Sequence, residues 1–121
     1  MLNTAQTLKT FFQSFGIPAY TLQSVPEEVN YPFITYPLTE PEWDQNGTFY
    51  CQVWHRKNRL ADLLGIADRI TGEIGTMRQF EQDGGYIVLY PSTPLIQILT
   101  DENTQSAYIN LIIRAYHMPG E

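Results

Sequence analysis

Side chains with versatile chemistry are scarce in this chain. One cysteine and two histidines occur among 121 residues. Cys51 has no partner for an internal disulfide, which suits a reducing compartment, and one thiol with two imidazoles cannot close a structural zinc site without carboxylates. Neither a CxxC nor an HExxH spacing is present. No apolar run reaches the 18 or so residues that a membrane-spanning helix needs. The opening MLNTAQTLKTFFQSFG has no basic start and no small-residue cleavage site, so a soluble, unexported protein is expected. Cations are few as well: 7 basic residues against 13 acidic ones give a net charge of −6, so the molecule as a whole repels nucleic acid. Sequence-specific nucleic-acid binding is therefore not expected, nor is membrane association.

The same scarcity bears on catalysis. Cys51 and His55 stand four apart on an expected strand, hence on one face yet roughly 13 Å apart, too far to exchange a proton. His117 lies near the end of the chain. Glycine-rich phosphate loops are missing too, because GGYIVLY opens a strand rather than a helix. Glu27, Glu28, Asp44, Asp83, Asp101 and Glu102 fall in loops, where solubility is the ordinary role of a carboxylate. No catalytic, cofactor-binding or metal-binding residues are nominated, and an enzyme is not expected.

What the chain does have is an ordinary core composition, 43% hydrophobic with 13% aromatic, at a length that supports one domain. That domain is placed at 1–116, with 117–121 as a flexible tail. Its clearest unit is 48–74. Phe49, Cys51, Val53 and His55 alternate with Tyr50, Gln52, Trp54 and Arg56, the period of a strand; then Leu60, Leu63, Leu64, Ala67, Ile70 and Ile74 recur at helical steps. Asn58 is the expected N-cap and Gly75 the stop. Arg59 with Asp62 and Arg69 with Glu73 have the spacing of helical ion pairs.

An earlier helix is expected over 4–15, with Ala5, Leu8, Phe11, Phe12 and Phe15 on one face, Asn3 or Thr4 as its cap and Gly16 as its end. Strands follow at 17–23 and 33–38, where Pro18 and Pro37 suggest exposed edges. Residues 76–85 read as a polar connection. Two further strands, 86–90 and 95–99, are separated by the wide bend of PSTP, and a long strand covers 106–116. The expected fold is α+β, in the order α-β-β-β-α-β-β-β: a mainly antiparallel sheet with two helices packed on one face.

Residues 39–47, ending in Asn46-Gly47, read as a protruding hairpin arm. Trp43 on that arm either anchors a partner or folds back over its own sheet. Candidate contact residues are Trp43 and Asp44 on the arm and Trp54, Arg56, Lys57 and Arg59 at the strand-to-helix junction. There, together with Arg69, four of the seven cations gather. Eight tyrosines and two tryptophans exceed what one core of this size can bury, so some should lie at contacts with other subunits.

The layout of a helix, then FGIPAY, then VPEEVNYPFITYPL, an aromatic strand ending VWHRK and the helix RLADLLGIADRITGEI resembles the tail-terminator and tail-completion proteins of long-tailed bacteriophages and prophages. VPEEVNYPFITY carries most of the likeness, which spans 1–116. The resemblance implies a homo-oligomeric ring, hexameric in the better-known members, at the tail-neck junction of the virion and assembled in the host cytoplasm. Its partners would be the tail-tube protein and the head connector or neck proteins. Two alternatives stand beside it: a head-completion or minor capsid protein of the same neck, and an α+β domain that binds a small ligand.

Overall fold

The computed structural model describes residues 4–118. Helix α1, Thr4–Gln13, buries Leu8, Phe11 and Phe12 at the expected helical spacing. Gly16, at φ 74°, takes the left-handed turn beyond its end. Helix α2, Leu60–Ile74, buries Leu63, Ile66, Ala67, Ile70 and Ile74 and stops at Gly75, φ 61°, whose N–H donates to the Thr71 carbonyl. Asn58 does not cap α2. Its own φ is 69°, a left-handed conformation that asparagine tolerates, so it makes the turn out of the strand and leaves Arg59 at the N-cap position without a side-chain cap. Asn3, the other cap expected for α1, lies outside the described residues.

Among the described residues six strands form one sheet in the order β1-β2-β3-β6-β5-β4. They are β1 Ala19–Thr21, β2 Phe33–Tyr36, β3 Asn46–Arg56, β4 Arg78–Gln82, β5 Gly85–Thr100 and β6 Thr104–His117. Only β1 and β2 pair in parallel; every other neighbouring pair is antiparallel. The fold is thus α+β with the expected element order, although the last three strands are divided differently. Residues 78–82 are a strand, not a connection, joined to β5 through Asp83-Gly84. Residues 85–100 are a single strand with a bulge between Pro91 and Ile96. The bulge is held from β6 by Asn110, whose amide donates to the Pro94 carbonyl at 2.8 Å and to Gln97 Oε1 at 2.9 Å.

Both helices cover one face. Phe12 stacks on Tyr36 at 4.7 Å between centroids, and the sheet contributes Ile34, Phe49, Cys51, Val53, Ile87, Leu89, Ile109, Leu111 and Ile113 to the same core. Strand register links residues across the sheet in rows, one of which runs Ala19, Ile34, Val53, Ala107, Ile98. The sheet is staggered, because β4 covers only 85–89 of β5. Its upper half therefore runs from β1 to a bare β5 edge, and its lower half ends at β4.

Several expectations change here. Strand β2 is interior and wholly buried, since the short β1 takes the edge beside it. The arm does not project. Trp43 bridges to Ala115 of β6, and its ring lies 5.1 Å from that of His117 and packs on the core. The first two residues expected in a flexible tail are held instead: His117 belongs to β6, and the Met118 N–H donates to the Gly84 carbonyl at 2.8 Å. Residues 119–121 of that tail lie outside the described residues.

Candidate functional site: a helix-free tyrosine face

Because side chains alternate along a strand, every strand with one row in the core sends its other row to the opposite side of the sheet. No helix covers that side among the described residues. Here the sequence places Tyr50, Gln52 and Trp54 on β3, Ser106, Tyr108, Asn110, Ile112, Arg114 and Tyr116 on β6, and Tyr86, Val88 and Tyr90 on β5. Tyr20 and Phe33 extend it over β1 and β2, with Tyr31 beside them. Of the eight tyrosines only Tyr36 joins the core; the other seven are half-buried and belong to this face.

The rings support one another. Trp54 lies nearly parallel to Phe33, 6.0 Å between centroids and 10° between planes, and its indole N–H donates to Thr35 Oγ1 at 3.0 Å. Tyr31 packs on Phe33 at 5.4 Å and carries the Arg56 guanidinium over its ring at 5.7 Å. At mid-sheet Tyr50 and Tyr108 meet across strands at 5.4 Å. Toward the far end Tyr86 stacks on Tyr116 at 5.0 Å, and the Tyr90 and Tyr116 hydroxyls are hydrogen-bonded at 2.8 Å. That bond, more than burial, raises the Tyr90 pKa above its ordinary value. Arg114 lies over Tyr116 at 5.0 Å and donates to Asn46 Oδ1 at 3.0 Å. Between the clusters, buried Gln52 donates through Nε2 to Ser106 Oγ at 2.9 Å.

Charge is sparse on this surface: Arg56 and Arg114 lie over the rings of Tyr31 and Tyr116, and Glu81 stands opposite Tyr86. Glu81 on β4 is the sole carboxylate within the six strands, so the acidity of the chain resides in its loops and helices. The face combines fixed aromatic rings with depleted charge, the composition found at the centre of protein interfaces. Rings held by their neighbours also lose little conformational freedom when a partner settles on them.

The candidate contact residues divide between the two ends of β3. Trp43 and Asp44 lie at its start, where Asp44 takes φ 62° and its carboxylate accepts from the His117 N–H at 3.4 Å. Trp54, Arg56, Lys57 and Arg59 lie at the other end, about 30 Å away at strand rise. Of these, Trp54 and Arg56 join the tyrosine face, Lys57 is tied by its N–H to the Asn103 carbonyl at 3.2 Å, and Arg59 stands exposed at the start of α2. Arg69 is not with them: it donates to the Phe15 carbonyl at 2.7 Å instead of pairing with Glu73, which binds Arg78 at 3.1 Å. Asp62 likewise faces His55, at 3.8 Å, and not Arg59.

No family model, curated protein or solved structure matches this chain.

Other chemistry is thin. Burial raises the Cys51 pKa far above that of a reactive thiol. His55 Nδ1 accepts the Arg56 N–H at 2.8 Å and so serves the turn out of β3. No group of three His, Cys, Asp or Glu side chains is placed to hold a metal among the described residues. No described helix is long and apolar enough to cross a membrane. Two open hollows of about 420 Å³ flank the helices, one lined by Phe15, Asp68, Arg69 and Glu73, the other by Thr10, Phe11, Arg78 and Phe80.

The second stripe of β6 was readable in the sequence, and so was the excess of tyrosine. Their joining into one face was not, because it depends on strand order.

Proposed function

We propose that this protein is a structural subunit of a phage neck, a ring-forming tail terminator that caps the tail tube and joins it to the head connector. The observation that carries the reading is the charge-poor face on which seven of eight tyrosines sit half-buried, a surface suited to other subunits and poorly suited to chemistry. The layout of VPEEVNYPFITY and of the strand-to-helix unit supplies the phage assignment through resemblance. Charge fits the role as well. Asp62, Asp68 and Glu73 are exposed on α2, on the far side of the sheet from the tyrosines. A ring that turns α2 inward presents carboxylates to passing DNA and repels it from the wall. The arm does not serve as the docking element in this reading, since Trp43 is engaged within its own chain.

Recovery of a tagged copy from a lytic culture tests the proposal. Co-purification with tails, and closed rings by negative stain, are expected. Recovery with heads transfers the protein to the head-completion class, and recovery with neither particle contradicts both.

A further inference from the structure

We propose that copies of this chain join by adding the bare edge of β5 in one copy to β1 of the next, so that one sheet continues through the assembly. The inference rests on the reading of the protein as an assembly subunit and names the surface by which it assembles. Three features of the two edges agree.

The first is level. Ala19 and Ile98 end the same row across five strands, so both bare edges lie at one height on opposite sides of the sheet. Copies set side by side need no slip along the strands to bring them together.

Direction agrees too. Strand β1 runs with β2, β3 opposes β2, β6 opposes β3 and β5 opposes β6. Strand β5 therefore runs against β1, and two copies in the same orientation meet as an antiparallel pair.

Backbone polarity is the third feature. The Asp101 N–H donates to the Thr104 carbonyl, so bonded pairs with β6 fall at 101/104, 99/106 and 97/108, and the amides and carbonyls of Ile96, Ile98 and Thr100 point outward. On the other side, the Ile34 N–H donates to the Pro18 carbonyl, which turns residues 18 and 20 toward β2 and leaves both groups of Ala19 and the N–H of Thr21 outward, while the Thr21 carbonyl accepts from Ser24 Oγ at 3.5 Å. Placing Ile98 opposite Ala19 of the next copy thus sets free donors and acceptors against each other.

Side chains fit the same placement. Ile98, 38% exposed, points to the helix side of the sheet, where Ala19, Lys9, Gln13 and Tyr36 border a hollow of about 320 Å³ beside β1. Gln97 and Tyr20 meet on the other side and extend the tyrosine face across the junction. The segment LIQILT bears no charge and no lysine, the usual protections of a free edge, whereas the β4 edge carries Arg78 and Glu81. The contact is head-to-tail, and repeated around an axis it closes a ring.

Cysteine pairing tests the register while native Cys51 stays buried. Tyr20→Cys and Gln97→Cys are mixed under mild oxidation; an intermolecular disulfide in the mixture, and in neither variant alone, is expected. Ile98→Lys, which leaves the β5–β6 ladder intact, should raise the concentration for half-assembly roughly tenfold or more without changing the melting temperature appreciably. Assembly that ignores Ile98→Lys and yields no mixed disulfide overturns the edge pairing while the assembly reading stands. A Gln97→Cys homodimer overturns it in favour of two β5 edges meeting about a two-fold axis. A chain that sediments as a monomer at all concentrations, with no disulfide in the mixture, also overturns it, and the recovery from tails or heads then judges the assembly reading separately.

Discussion

Trp43 lies against Gly85 so closely that a Cβ on the glycine would stand 3.0 Å from the indole Cζ3, and would also collide with the Tyr116 carbonyl. Glycine is thus required at the start of β5 by two neighbours, a backbone and a ring, and the backbone cannot yield. Gly85→Ala is expected to cost about 3 kcal/mol, since overpacking against main chain forces the strand pair apart. Urea unfolding measures it, and a loss under about 0.5 kcal/mol would contradict the contact.

Trp43→Ala follows from the same contact. A half-buried indole that packs on His117 and on the glycine pair is expected to contribute about 2 kcal/mol, lowering the melting temperature by about 8 °C in a chain of this size. An unchanged melting curve would mean that the ring does not hold the loop and would restore it as a free arm.

How far the sequence carried varied with the strength of each local pattern. Strand β3 and helix α2 were readable because Phe49 to His55 alternate cleanly and Leu60 to Ile74 do not, with Gly75 as a stop. Strand β4 was missed because Arg78, Gln79, Glu81 and Gln82 leave Phe80 as its only apolar residue. An edge strand half in water has no need of more, and the Asp83-Gly84 pair was the available hairpin signal. The two prolines of PSTP suggested a break where β6 keeps one strand continuous, because Asn110 satisfies the bulged backbone from across the ladder. For the candidate site, the number of aromatics showed that some must lie outside the core. Which of them share a surface is set by the order β1-β2-β3-β6-β5-β4, a long-range property that no local window contains.

Gln52 and Ser106 form a buried polar pair in the midst of the aromatic face. Ser106→Ala leaves the Gln52 amide without its acceptor and is expected to cost about 1–3 kcal/mol. Adding Gln52→Leu removes the stranded group, so the double variant should be more stable than Ser106→Ala alone. A strictly additive double-mutant cycle would contradict the bond.

Alkaline conditions should expose the burial of Cys51. Its thiol pKa is raised in the folded chain, so the neutral form is favoured there, and the contribution is complete below the unfolded value of about 8.5. Above that pH the unfolded thiol ionises while the folded one does not, and stability falls. Between pH 8 and 10 the chain should lose about 2 kcal/mol more than Cys51→Ala does. Parallel urea titrations of the two proteins measure the difference, and equal losses would contradict a buried thiol.

Tyrosine footprinting with tetranitromethane or hydroxyl radicals tests the central claim, that the helix-free face is where this protein meets its partners. The measurement compares the isolated chain with particles that contain it. Tyr50, Tyr108 and Tyr116 should be modified in the isolated chain and protected in the particles, while Tyr36 stays protected in both. Equal modification of the three in both states would show that the face remains in solvent after assembly, and would contradict the account.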